Sequence, residues 1–161
     1  MAIVLFTQIT LHATNPNPYI LQEDLPIYNL GDYAKGGVIF YLTPDGRHGL
    51  VASIVDMNDS DDYTLPWYPT TDTFDTIGAK ANFIGFGQNY TTAGKINTHL
   101  IVNEYGAGSS YAAGACVNYS HQMNGKTYDD WYLPCLAELG LMREMKETIT
   151  AVSISNGGSG F

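Results

Sequence analysis

Positive charge is what this chain has least of: 7 Lys and Arg stand against 16 Asp and Glu, for a formal charge of −9. Nucleic acid and anionic membrane surfaces repel such a chain, so neither is an expected partner. Charge of either sign makes up only 14% of the residues, so the surface must rely on uncharged polar and aromatic groups. No apolar run approaches the ~20 residues of a membrane span, and membrane insertion is not expected. No fixed-period repeat is visible. Gly85-Phe86-Gly87 lacks the continuation that a phosphate-cradling loop needs. Cysteine is nearly absent. Cys116 and Cys135 are too few for a disulfide scaffold, and they read either as one bridge or as a pair of buried thiols.

What is abundant is glycine and tyrosine, at 17 and 12 residues, a style common in exported binding proteins. A length of 161 residues suits one domain with a sizeable core. Residues 1–27 read as a leader or extended arm. Ala2-Ile3-Val4-Leu5-Phe6 is apolar but has no basic residue before it, so it reads either as the remnant of a secretory signal or as a short edge strand or disordered leader. Three of the seven prolines fall in residues 14–27.

The domain proper is expected over 28–161. Val38 to Leu42 and Gly49 to Val55 are apolar runs separated by Pro44-Asp45-Gly46, which predicts a hairpin with His48 packed and hydrogen-bonded at its return. Asp56, Asp59, Asp61 and Asp62 then crowd into seven residues. Oxygen-rich loops suit calcium, but an EF-hand would need Gly at Asp61 and Glu at Trp67, so the run reads either as a calcium site or as a solvated loop. No other cofactor is expected. Trp67, Tyr68 and Tyr90 lie in a loop-rich stretch, where aromatic rings either pack as a satellite core or show their faces to a ligand such as a sugar.

Thr91-Thr92 offers an N-cap, and Ile96, Leu100, Ile101 and Tyr105 step at helical spacing until Gly106 stops them. Ser109 or Ser110 is placed to cap a second helix through Tyr119, with Ala112, Ala113, Ala115 and Cys116 as a close-packing face. Asn124-Gly125 marks a turn. Trp131-Tyr132-Leu133 predicts a short buried strand ended by Pro134. Leu136, Leu139, Met142, Met145 and Ile149 then predict one helix over about 135–149 with those residues facing the core, and Glu138 in its first turn. Thr150 to Ser155 reads as a possible strand start before a glycine-rich end.

The run Asp130-Trp131-Tyr132-Leu133-Pro134 leading to Glu138-Leu139 resembles the Lcl C-terminal domain family, named for the C-terminal domain of the Legionella collagen-like adhesin. Gly36-Gly37-Val38-Ile39-Phe40-Tyr41 followed by Arg47-His48-Gly49-Leu50 is similar to that family's opening hairpin. The structural motif residues are therefore Gly37, His48, Gly49, Asp130, Trp131, Leu133, Pro134 and Glu138. The resemblance implies an α+β, C-type-lectin-like fold, with a small antiparallel sheet and two to three helices. It also implies a non-catalytic adhesin or lectin-like module, bacterial, secreted or on the cell surface, with a homotrimer as one expected form, that binds a glycan or a host surface molecule. Family members continue with further strands after the position of Phe161, so the expectation is a shortened domain, either oligomeric or marginally stable. Sulfated polyanions do not fit a charge of −9, and a neutral carbohydrate or a protein fits better. Two alternatives stand beside this reading. One is a variable ligand-binding protein of a diversity-generating retroelement. The other is an oxidase like the formylglycine-generating enzymes, which use cysteines in their chemistry; here no cysteine follows Cys135, which lies within the structural motif itself.

Overall fold

The structure is a computed structural model that describes residues 6–10, 28–44, 46, 48–55, 65–66 and 93–158. In chain order the elements are β1 (Phe6–Thr10), β2 (Tyr33–Ala34), β3 (Gly37–Leu42), β4 (His48–Ala52), α1 (Ala93–Tyr105), α2 (Ala112–Asn118), β5 (His121–Met123), β6 (Lys126–Tyr128), α3 (Leu136–Glu144) and α4 (Lys146–Ser155). The class is α+β, as expected, with four helices among the described residues rather than two to three.

The expected hairpin is β3 and β4, whose β-branched and aromatic residues suit a pleated, buried surface. Its turn closes where Gly46 N–H donates to Thr43 O at 2.8 Å and Thr43 N–H donates to His48 O at 2.8 Å. The sheet order is β1-β4-β3-β2, with every neighbouring pair antiparallel. Phe6–Thr10 is an edge strand on β4. Side chains alternate between the two faces of a strand. Accordingly, Val38, Phe40, Leu50 and Ala52 join one core with Tyr132, Met142 and Ile149, while Ile39 and Val51 join a second with Ala112, Cys116 and Trp131. Helices α3 and α4 cover one face of the sheet and α2 the other. Trp131 and Tyr132, consecutive in sequence, enter opposite cores.

Several local expectations change. Residues 131–133 form no strand, and only Tyr132 makes a single bridge. The ladder is replaced by a side chain on α1: Leu133 N–H donates to Thr98 Oγ1 at 2.9 Å, and the same hydroxyl donates to Leu133 O at 3.2 Å. The helix expected over 135–149 is two helices, broken at Met145 (φ −105, ψ 9), and the second continues through Ser155 where a strand was expected. Met142 and Ile149 are buried as predicted, but Leu136 and Leu139 are exposed at 77% and 39% because the first turn of α3 points Glu138 inward instead. On α1 the buried residues are Ala93, Gly94, Thr98 and Ile101, whereas Ile96 and Leu100 face outward; Gly106, at φ +80, ends the helix as expected. The cap of α2 is Tyr111 rather than a serine, and its hydroxyl donates to Gly106 O. Ala112, Ala113, Ala115 and Cys116 do form the close-packed face. Asn124-Gly125 turns the β5–β6 hairpin, with both residues at positive φ.

Candidate functional site

The Trp131–Leu139 segment is built around one carboxylate. Glu138 is the single buried charged residue among the described residues, at 0% exposure. Cys135 is the N-cap of α3 and Glu138 its third helical residue, so the two close a capping box: Glu138 Oε2 accepts Cys135 N–H at 2.8 Å, and Cys135 Sγ accepts Glu138 N–H. The Tyr132 hydroxyl donates to Glu138 Oε1 at 3.0 Å. Gly94, in the first turn of α1, donates its backbone N–H to the same carboxylate. A Cβ at Gly94 would collide with Glu138 Oε2, so glycine is required for this approach. The carboxylate thus lies at the N-terminal ends of both α1 and α3, where helix dipoles favour negative charge.

Burial pushes the Glu138 carboxyl above its ordinary value, against hydrogen bonds from Cys135, Tyr132 and Gly94 that pull it down. The Tyr132 hydroxyl is pushed up by burial and then by the neighbouring Glu138. Both are held by the fold, and both acceptor oxygens of Glu138 are engaged within it. The chemistry open to this carboxylate is to join two helices to the 131–135 segment.

The other motif residues are structural in the same sense. Trp131 is 2% exposed, donates Nε1–H to Tyr128 O at 2.8 Å and meets Tyr119 edge to face at 5.5 Å. Leu133 and Pro134 are half-buried, and Asp130 is exposed. Gly37 and Gly49 are buried against the backbone of the facing strand, where a Cβ would meet the carbonyl oxygens of Ala52 and Tyr41 respectively. His48 departs from expectation. Its side chain is exposed, and its role is carried by its backbone, which donates N–H to Thr43 Oγ1 at 3.1 Å and accepts from the Thr43 hydroxyl at 3.0 Å.

Cys116 and Cys135 are free thiols, so the bridge reading is corrected. Cys116 points into the core with Ile39, Val51 and Trp131, where burial pushes its pKa up to about 12. Cys135 is engaged in the α3 cap and is raised as well, mainly by burial. The aromatic residues Trp67, Tyr68 and Tyr90, and the acidic residues Asp56, Asp59, Asp61 and Asp62, lie outside the described residues. Among the described residues no group of three His, Cys, Asp or Glu is arranged to hold a metal ion. No described helix is long and apolar enough to cross a membrane.

Sequence reasoning missed Gly94, Thr98 and Tyr132 as partners of the motif. Tyr132 shares the motif's run, but Gly94 and Thr98 lie far upstream in a helix whose apolar stripe gave no hint that its small and polar residues face inward. Comparison of the chain with family models, curated proteins and solved structures gives no match.

Proposed function

We propose that this chain is a non-catalytic binding module, secreted or displayed on a cell surface, which recognises a neutral glycan or a protein. The observation that carries the reading is the engagement of Glu138. In the one segment with a specific sequence pattern, the acidic group is consumed by Tyr132, Cys135 and Gly94 inside the fold. A carboxylate that acted on a substrate would need to face one. The pattern therefore supports a scaffold whose surface does the work, consistent with the resemblance to the Lcl C-terminal domains and with a C-type-lectin-like arrangement. A homotrimer belongs to the same reading. The charge of −9 favours neutral ligands over sulfated ones.

Arrays of neutral oligosaccharides and of purified extracellular host proteins, probed with the folded chain, test this. Saturable binding to a member of either array, competed by the same ligand in solution, is expected. Absence of binding to both arrays would overturn the proposal.

A further inference from the structure

We propose that Asn124, at the tip of the β5–β6 hairpin, is a site of spontaneous covalent modification, where attack by the Gly125 nitrogen converts the side-chain amide to aspartate or isoaspartate without an enzyme. The site does not depend on the binding-module reading. It is one of two Asn-Gly pairs in the chain, Asn124-Gly125 and Asn156-Gly157, and the fold treats the two differently.

The reaction needs a backbone nitrogen that can approach the preceding side chain, and glycine brings one with no Cβ in the way. Both pairs meet that condition. All four residues are exposed, and a Cβ on either glycine would meet nothing within 4 Å. At Asn124 the Gly125 N–H gives its proton to hydroxide or water, and the nitrogen attacks Asn124 Cγ. A new N–Cγ bond closes a succinimide ring, the Cγ–Nδ2 bond breaks, and Nδ2 leaves as ammonia. Water then opens the ring. Cleavage of the new N–Cγ bond leaves aspartate, whereas cleavage between the nitrogen and the Asn124 carbonyl carbon leaves isoaspartate, with the main chain running through Cγ. Water is the only co-reactant, and nothing is oxidised or reduced.

Hydrogen bonding separates the pairs. Asn156 caps α4: its Nδ2 donates to Val152 O at 2.8 Å and to Ser155 Oγ at 3.2 Å, while Gly157 N–H donates to Ile154 O at 3.2 Å. Leaving group and nucleophile are both held there. The next residue, Gly158, donates its N–H at 2.8 Å to the carbonyl of the fully buried Ser153, which anchors the cap to the core. Among the described residues, neither the Asn124 side chain nor the Gly125 N–H makes a hydrogen bond. Asn124 and Gly125 sit at φ 53° and 74° in a turn closed by the Met123–Lys126 pair, so the side chain reaches the nitrogen only as the turn opens. That opening is within reach, because β5 and β6 form a two-stranded sheet of three residue pairs, and such a hairpin is marginal on its own. The two products fit the turn differently. Aspartate tolerates positive φ as asparagine does. Isoaspartate lengthens the main chain by one carbon, so the two-residue turn loses the register that sets Tyr128 opposite His121. Tyr128 O accepts the Trp131 Nε1–H at 2.8 Å, so the change at the tip is passed to a core residue.

Ageing the folded chain in mildly alkaline buffer, with peptide mapping that separates asparagine, aspartate and isoaspartate at each pair, tests the assignment. Asn124 should convert at least fivefold faster than Asn156 in native protein, and the two rates should come within twofold of each other in denaturant, where the α4 cap no longer protects Asn156. The fraction carrying isoaspartate at position 124 should melt below fresh protein. Asn124→Gly, which keeps a residue suited to the turn and removes the amide, should melt like fresh wild type and show no loss of melting temperature on ageing. Asn156 converting as fast as Asn124 in native protein would overturn the assignment, as would conversion of Asn124 only after unfolding. A wild type and an Asn124→Gly variant that lose melting temperature equally on ageing would overturn the link from the hairpin tip to the core.

Discussion

The Tyr132 hydroxyl donates to Glu138 Oε1 at 3.0 Å, and neither side chain is more than 1% exposed. Through Glu138 this bond ties the core between the sheet and helices α3 and α4 to the first turn of α1. Losing the acceptor should therefore cost more than losing one donor. Glu138→Ala leaves a phenol and two backbone N–H groups without their partner and is expected to destabilise by about 3 kcal/mol or more, whereas Tyr132→Phe should cost about 1.5–3 kcal/mol. Denaturant unfolding of both variants checks the order, and a smaller loss for Glu138→Ala would contradict it.

The same carboxylate gives stability an unusual pH dependence. Because the Glu138 carboxyl is raised by burial above its ordinary value of 4.5, the native state keeps this proton where the unfolded chain has lost it. Its contribution is complete below 4.5 and is lost as pH rises through the folded value. Glu138→Gln can point its amide oxygen at the Cys135 N–H and its amide nitrogen at the Tyr132 oxygen, and it does not titrate. Melting temperatures from about pH 4 to about pH 8 should show wild type losing ground to Glu138→Gln as pH rises. A gap moving the other way would mean a lowered pKa in the folded state.

Two buried hydroxyls should respond in opposite ways. Thr98 bonds both backbone groups of Leu133, so Thr98→Val should cost about 1–3 kcal/mol through the orphaned N–H and C=O. Ser153 is fully buried on α4 and its Oγ has no hydrogen-bond partner, so Ser153→Ala should be neutral or stabilising by about 1 kcal/mol. Equal losses in the two variants would count against this account of the packing.

The thiols should differ in reactivity. Cys135 is half-buried and Cys116 fully buried, with its pKa pushed up to about 12. Iodoacetamide followed by intact mass should show one slow modification at Cys135 in native protein and a second at Cys116 only on unfolding. Two unmodified cysteines joined in a bridge would overturn the free-thiol assignment.

Much of the fold follows from local signals that tertiary packing leaves alone. The turn closed between Thr43 and Gly46, the stop at Gly106, the Asn124-Gly125 turn and the small-residue face of α2 are of this kind. The errors come where packing overrides periodicity. Leu136 and Leu139 had helical spacing, yet the inward turn of Glu138 put them outside; a buried carboxylate is invisible to hydrophobic pattern because its partners are one phenol and two backbone N–H groups. The 131–133 segment has strand-like residues, but its backbone partner is a threonine side chain 35 positions upstream, which no strand signal encodes. For the candidate site, the motif's structural role was legible from Trp131, Pro134 and Glu138, whereas Gly94 and Thr98 join it only when α1 packs against the 131–135 segment.

The proposed binding module holds Glu138 in its scaffold and outside its chemistry. Glu138→Gln, assayed for the melting temperature and for affinity toward whichever arrayed ligand the wild type binds, tests it most directly. The account predicts a shifted melting temperature with affinity within about twofold of wild type, since the carboxylate faces only Tyr132, Cys135 and Gly94. An unchanged melting temperature with binding lost by tenfold or more would contradict it.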